Sequence, residues 1–503
     1  MRILLLLFLL FSLTATNAQG WLSPARTGSL RGIWVDAYGA GFKTEAEIDT
    51  LIADARALNL NTLFVQVVRR GDCYCLRSTL PIADDPALEP DFDPLSELII
   101  DAHAAGMQVH AWVVTLALWG SDAVPSDPQH AYNLHGPDAS EAESWLTMRY
   151  DGVVRPEADV YLDPGVPAVG DYLTDAVVGL VQNYDLDGII FDRLRFPDYN
   201  LDGAPSWGYN VTSLARFAAE TGEMDLPHPT DPLWTAWRRD QISLLERRLY
   251  LSAKAVNPDL WVGAATIVYG APPTDFSESP AYNLVLQDWA GWLAGGFLDL
   301  NLPMNYKQNG DADEAEWFGD WNRVAPELAH QAATAVAAGI YRNDPEETNA
   351  QLEEVLSSPG LVGWSGYSYR TPSEAVALGI EDAETALDEL AERLTAPGAP
   401  FAEAAAFGRP PPVTALTGRI ESDGANVSAQ TVELLSGDRV VATAQTDAAG
   451  RYGFVLDEAV TAPQVRLSGG VLVPLSLPEG RVTQAPTLTR AWYLAGKNPL
   501  KTY

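Results

Sequence analysis

The sequence predicts an α/β protein: a (β/α)8 TIM barrel followed by a small all-β sandwich domain. Three observations carry that expectation. Short apolar runs alternate with longer amphipathic stretches eight times between Leu30 and Ala396, and strands alternating with helices build a parallel sheet with right-handed crossovers. The first unit lacks the glycine pattern of a dinucleotide site, since Gly39-Ala40-Gly41 with Gly32 upstream does not match it, and this disfavours an open doubly wound sheet. Beyond Ala396 the helical spacing stops, and a Pro- and Ala-rich linker over 397–412 leads into short strands that end by about residue 490.

The elements follow in order. Leu30 to Tyr38 reads as the first strand. Thr44 to Asn59 has helical spacing, with Ile48, Leu51, Ile52 and Ala55 on one side and Thr44 and Glu47 as a capping pair. Asn61 to Val68 is strand two, Asp93 to Gly106 helix two and Gln108 to Leu116 strand three. After a long polar insertion come helix Pro167 to Tyr184, strand Asp187 to Asp192, the long helix Trp234 to Val256 and strand Trp261 to Val268. Helix Tyr282 to Leu293, strand Phe297 to Asn305, helix Ala312 to Leu328 and strand Ala332 to Ile340 continue the alternation. Helix Glu346 to Leu356, strand Leu361 to Tyr367 and helix Glu381 to Leu394 complete a barrel spanning 30–396. In the region 413–490, Val432 to Leu435, Arg439 to Ala444, Tyr452 to Leu456 and Val465 to Leu467 read as strands, with a hairpin turn at Asp447 to Gly450. This stretch resembles the carboxypeptidase regulatory-like modules attached to many secreted enzymes, which act as spacers or weak binders.

Composition narrows the function. With 67 acidic and 32 basic residues in 503, the formal charge is -35; such a surface repels phosphate backbones and argues against nucleic acid as a partner. Met1-Arg2, the apolar run Ile3 to Phe11 and the small residues up to Ala18 read as a signal peptide over 1–18. That run is too short to span a bilayer, and no later stretch is a candidate span. The expected location is therefore outside the cytoplasm: secreted, periplasmic or in the cell envelope. The only cysteines, Cys73 and Cys75, are expected as free thiols, because residues two apart in a strand sit at the limit of disulfide reach and a bond would need a turn at Tyr74. No ligand spacing for a metal is visible, and no cofactor is expected.

Barrel chemistry sits at the C-terminal strand ends. Aromatics crowd them, among them Tyr38, Trp112, Trp119, Tyr269, Tyr306, Tyr341, Tyr367 and Tyr369. Sugar rings present C–H faces that stack on such rings. Bases also gather there: Arg69, Arg70, Arg193, Arg195, Lys307, Arg342 and Arg370. In so acidic a chain this suits a ligand that carries anionic groups. Asp192 follows Gly188-Ile189-Ile190-Phe191, beside Arg193 and Arg195, and is the leading candidate for an ionised catalytic carboxylate. Glycoside hydrolysis requires a second carboxyl group. No Glu ends a predicted strand, and Asp36, nearest to a strand end, is placed ahead of Asp72, Asp275 and Glu278. Gln66, Arg69, Arg70, His110, Trp112, Arg195, Tyr306, Lys307, Tyr367 and Arg370 are the expected substrate-binding residues.

Arg31-Gly32-Ile33-Trp34-Val35, Val65-Gln66-Val67, Val109-His110-Ala111-Trp112, Tyr161-Leu162-Asp163-Pro164-Gly165, Asp185-Leu186-Asp187-Gly188-Ile189-Ile190-Phe191-Asp192 and Pro303-Met304-Asn305-Tyr306 occur in this order. Over about 30–395 the chain resembles the bacterial glycosyl-hydrolase-like family 10. The resemblance implies a TIM barrel acting on glycan, one branch being associated with peptidoglycan strands stripped of peptides. Where family members often carry a second Asp after the position of Asp192, this chain has Arg193. The expectation is a secreted glycoside hydrolase acting on an envelope glycan; the alternative is a glycan-binding barrel without catalysis.

Overall fold

The computed structural model describes residues 28–155, 159–422, 427–456 and 459–489; the expected signal peptide lies outside them. Eight strands, β1 Leu30–Val35, β2 Thr62–Val68, β3 Gln108–Val114, β4 Gly188–Asp192, β5 Trp261–Thr266, β6 Leu300–Asn305, β7 Ala333–Gly339 and β8 Leu361–Tyr367, form a closed barrel. Every neighbouring pair is parallel, and Ile33 of β1 pairs with Leu63 on one side and Gly366 of β8 on the other. The strands are buried on both faces, as a parallel sheet covered by helices must be.

The covering helices include α1 Glu45–Ala57, α2 Pro94–Ala104, α3 Pro167–Asn183, α4 Val211–Thr221, α5 Pro232–Val256, α6 Ala312–Glu327, α7 Pro345–Ser357 and α8 Ala383–Thr395. Thr44 caps α1 by accepting from the Glu47 N–H, as the sequence predicts, but the Glu47 carboxylate turns to the N–H groups of Gly41 and Lys43. Helix α4, bounded by Asn210 and a left-handed Gly222, is an addition to the expected elements. The helix expected over Tyr282 to Leu293 is split into Pro280–Asn283 and Trp289–Ala294. Between them Leu286 takes φ 56°, and the Gln287 amide bonds to the backbone of Ile267 and Ala265 beside β5.

Cys73 and Cys75 are disulfide-bonded, which corrects the free-thiol expectation. They do not lie in a regular strand. The chain turns at Gly71 (φ 80°), the Tyr74 N–H reaches back to the Val67 carbonyl, and the two Cα atoms come to 5.2 Å.

The Pro- and Ala-rich segment after α8 closes the N-terminal end of the barrel. Phe407 stacks on Trp261 at 4.9 Å, and Trp261 Nε1 donates to the Gly408 carbonyl. The Gln108 amide donates to Phe407 and Gly408, and Arg409 pairs with Asp187 at 2.8 Å. Beyond it, β9 Thr414–Glu421, β12 Arg451–Leu456, β15 Val482–Gln484 and β16 Leu488–Thr489 form one sheet. The other contains β10 Thr431–Ser436, β11 Arg439–Gln445, β13 Pro463–Leu467 and β14 Val473–Pro474. Leu416, Ile420, Val432, Leu434 and Phe454 fill the space between them. Among the described residues, no helix is long and apolar enough to cross a membrane.

Helix α5 is fastened to the barrel by a buried charge pair. Lys254 Nζ lies 3.0 Å from Asp299 Oδ2, at side-chain exposures of 0% and 5%. Asp299 also accepts from Tyr250 OH and the Val262 N–H. Asp299→Ala leaves a buried ammonium without its counter-charge, and the expected loss of stability is about 3–5 kcal/mol. Arg323→Ala, which breaks an exposed pair with Asp320, changes it by less than about 1 kcal/mol. Urea midpoints of the two variants test the contrast.

Candidate active site

Because all eight strands run the same way, their C-terminal ends share one mouth, and there a cavity of about 480 Å³ opens. Asp192 is the last residue of β4 and lines it. Its carboxylate accepts from Trp112 Nε1 at 3.1 Å and from the Arg193 N–H at 2.7 Å. Its carbonyl accepts from the N–H and hydroxyl of Thr115. Arg193 takes φ 50°, so the backbone leaves the strand direction there.

The cavity walls are aromatic. Trp34 meets Trp112 edge-on at 5.2 Å, and Tyr306 stacks on Tyr367 at 5.1 Å. Trp34 is anchored through Nε1 to Ser365. Burial pushes the Tyr306 and Tyr367 phenols up, with the nearby Asp192 carboxylate adding to the effect, so both hydroxyls stay protonated. They can donate to a ligand oxygen while their faces offer stacking surface.

The basic groups of the mouth are partnered. Arg70 Nε and Nη2 bind both oxygens of Asp159 at 3.0 and 3.1 Å, and Arg193 reaches the same carboxylate at 3.4 Å. Arg193 also donates to Tyr161 OH. Arg195 pairs with Asp198 at 2.9 Å, and Arg342 with Glu314 at 2.9 Å. Lys307 donates to the Val268 carbonyl, and burial pulls its ammonium down to about 8.

Of the residues expected from sequence, Asp192, Gln66, Arg70, Trp112, Arg195, Tyr306, Lys307 and Tyr367 line this cavity. Four others lie elsewhere. Asp36 is buried, and both of its oxygens lie 3.1 Å from Nε of Arg370, whose side chain is half exposed. Arg69 faces Asp72 and Asp85. His110 sits near the start of β3, bonded to Gln108, and burial pulls its imidazole down to about 4. The carboxylate that the sequence reading missed is Glu314, in the first turn of α6. It lines the cavity and accepts from the Gln308 N–H at 2.7 Å. The signal was a Glu just inside a helix that starts on the strand-end face. Among the described residues, no group of three or more His, Cys, Asp or Glu could hold a metal ion.

The sequence profile of the family described as Glycosyl hydrolase-like 10 matches residues 29–339. Glycosyl hydrolase DigH of Escherichia coli K12 is 25% identical over 282 residues, covering 53% of this chain and 59% of its own length. Glycosyl hydrolase YngK of Bacillus subtilis 168 is 23% identical over 356 residues, covering 65% of this chain and 64% of its own. The chain thus spans about six-tenths of the length of these relatives. The PgaB (BpsB) glycoside hydrolase domain from Bordetella bronchiseptica aligns at a TM-score of 0.49 and 16% identity, over 72% of this chain and 99% of that one.

The Lys307 geometry gives a pH test. Its folded value near 8 lies below the unfolded one of 10.5. Between these values the unfolded chain binds the extra proton, so the Lys307 contribution to stability rises with pH. Urea midpoints of the wild type relative to Lys307→Met are expected to shift in favour of the wild type between pH 8 and pH 10.5. A constant difference would show that Lys307 titrates normally.

Proposed function

The chain belongs to the glycosyl hydrolase-like 10 family, and from that premise we propose that it is a secreted glycoside hydrolase that cleaves O-glycosidic bonds of a bacterial envelope glycan. The observation that carries this reading is Asp192, held at the mouth of a parallel barrel by the Trp112 indole and the Arg193 N–H, above aromatic walls. Asp192 acts as the ionised carboxylate, nucleophile or base, and Glu314 is the second carboxylate of the cavity. Trp34, Trp112, Tyr306 and Tyr367 meet sugar faces and hydroxyls. The names of the matched relatives, both glycosyl hydrolases, support the same chemistry.

The proposed substrate carries carboxylates, as peptidoglycan strands with exposed lactyl groups do. Five bases, Arg70, Arg193, Arg195, Lys307 and Arg342, line one cavity of a chain with charge -35. Each has an internal oxygen partner, and a carboxylated glycan, unlike a neutral one, can compete for the bases. The repulsion between two polyanions is screened beyond about 8 Å at physiological salt, so the local bases decide at contact. Export, on the pattern of residues 1–18, would bring the protein to such a glycan. One observation favours the alternative of a glycan binder without catalysis: Glu314 is held by Arg342 and the Gln308 N–H rather than standing free.

Purified glycan strands incubated with the protein, followed by a reducing-end assay, separate the two readings, since only cleavage makes new ends. Asp192→Asn keeps the shape and removes the charge, and is expected to lose at least about 10²-fold in kcat with binding nearly unchanged. Trp112→Phe keeps the ring but removes the donor to Asp192. It is expected to lose about tenfold in kcat. Full activity of Asp192→Asn would exclude Asp192 as the catalytic group, and absence of new ends with the wild type would favour the binder.

A further inference from the structure

Arg70 and Arg193 come from different strand ends, after β2 and β4, yet they converge on one carboxylate from the long insertion. That carboxylate, Asp159, precedes the short strand Val160–Tyr161, which pairs with Ala117–Trp119. The Arg70 contact is a two-point fork, Nε to Oδ1 at 3.0 Å and Nη2 to Oδ2 at 3.1 Å, and Arg193 Nη1 adds a third contact at 3.4 Å. Both arginines line the cavity that holds Asp192, and Asp159, next to them, is not part of its lining. Two guanidinium groups thus share Asp159, and Arg193 is held on its other side by the field of Asp192.

Space for this arrangement is made by Gly120. A Cβ there would fall 2.2 Å from Asp159 Oδ1, whereas Arg70 Nε would be 3.6 Å away. A methyl group at residue 120 would therefore push out the carboxylate and leave Arg70 nearly undisturbed.

We infer that Arg70 and Arg193 form a carboxylate-recognition site on the cavity wall, and that Asp159 is an internal occupant which an acidic sugar unit displaces. This rests on reading the cavity as a glycan site. The exchange is selective because the fork takes two parallel N–H···O contacts and matches a carboxylate's geometry. An incoming carboxylate replaces the contacts that Asp159 gives up. A neutral sugar offers no such replacement, so Asp159 keeps its place and the unit gains nothing from the arginines. Asp159 thereby sets the threshold at which acidic units are accepted and is a specificity-determining residue.

The test is calorimetric titration of the full chain with D-glucuronate and, as the neutral ring, D-glucose. Asp159→Asn removes the competing charge, and Gly120→Ala displaces the same carboxylate while keeping it in the chain. Each is expected to bind glucuronate about tenfold more tightly than the wild type, with no change for glucose, because charge-assisted contacts then form without a competitor. Added salt should reduce the gain. Unchanged or weaker glucuronate binding in the variants, an equal gain for glucose, or no glucuronate binding in any of the three proteins would overturn the inference. In those cases Asp159 would be a clamp that only holds the insertion. If Asp159→Asn does not fold, Gly120→Ala alone decides. The titration involves no bond cleavage, so it stands apart from the reducing-end assay. Selective glucuronate binding without new reducing ends keeps the carboxylate site and rejects hydrolysis, and the opposite pair of results does the reverse.

Discussion

Closure of the parallel sheet is the constraint on which everything else rests. Once β8 pairs with β1, the barrel has no free edge, and every strand must deliver its C-terminal residue to the same rim. Asp192 from β4, Gln66 from β2, Trp112 from β3 and Tyr367 from β8 meet there although they are far apart in sequence. The opposite end is sealed by the segment after α8 through Phe407 and Gly408. That segment reads as a linker from its Pro and Ala content, yet in the structure it is a plug for the barrel floor.

Electrostatics at the rim follow from the same convergence. A chain of charge -35 gathers five basic side chains around one cavity and gives each an oxygen partner. The partners differ in kind. Asp198 and Glu314 each serve one arginine, Lys307 has only a carbonyl, and Asp159 is shared by two arginines. The shared carboxylate is the point at which two guanidinium groups converge, and therefore where a ligand carboxylate finds donors already paired in space.

Much of this was legible in the sequence. Asp192 could be found because it ends the unbroken apolar run from Gly188. The barrel order was legible because strands and helices have different periods. The first sandwich strand, Thr414–Glu421, could have been found too, since Leu416, Gly418 and Ile420 alternate with polar residues. Other features depend on depth or on three-dimensional neighbours. His110 and Trp112 share a face of β3, but two residues are about 7 Å along a strand, enough to put one on the floor and the other at the mouth. Asp36 ends its strand as expected, but Arg370 claims it from the far side of the sheet closure. Glu314 lies in a helix rather than a strand, so attention to strand ends passes over it.

The central claim is that a glycosidic bond is held at Asp192 between the aromatic walls of the mouth. The most direct measurement is a crystal structure of Asp192→Asn soaked with a glycan oligomer. Sugar rings stacked on Trp112, Tyr306 or Tyr367, with a glycosidic oxygen within about 3.2 Å of residue 192 or Glu314, are the predicted result. An oligomer bound elsewhere on the barrel, or in the mouth with no glycosidic oxygen near either side chain, would contradict it.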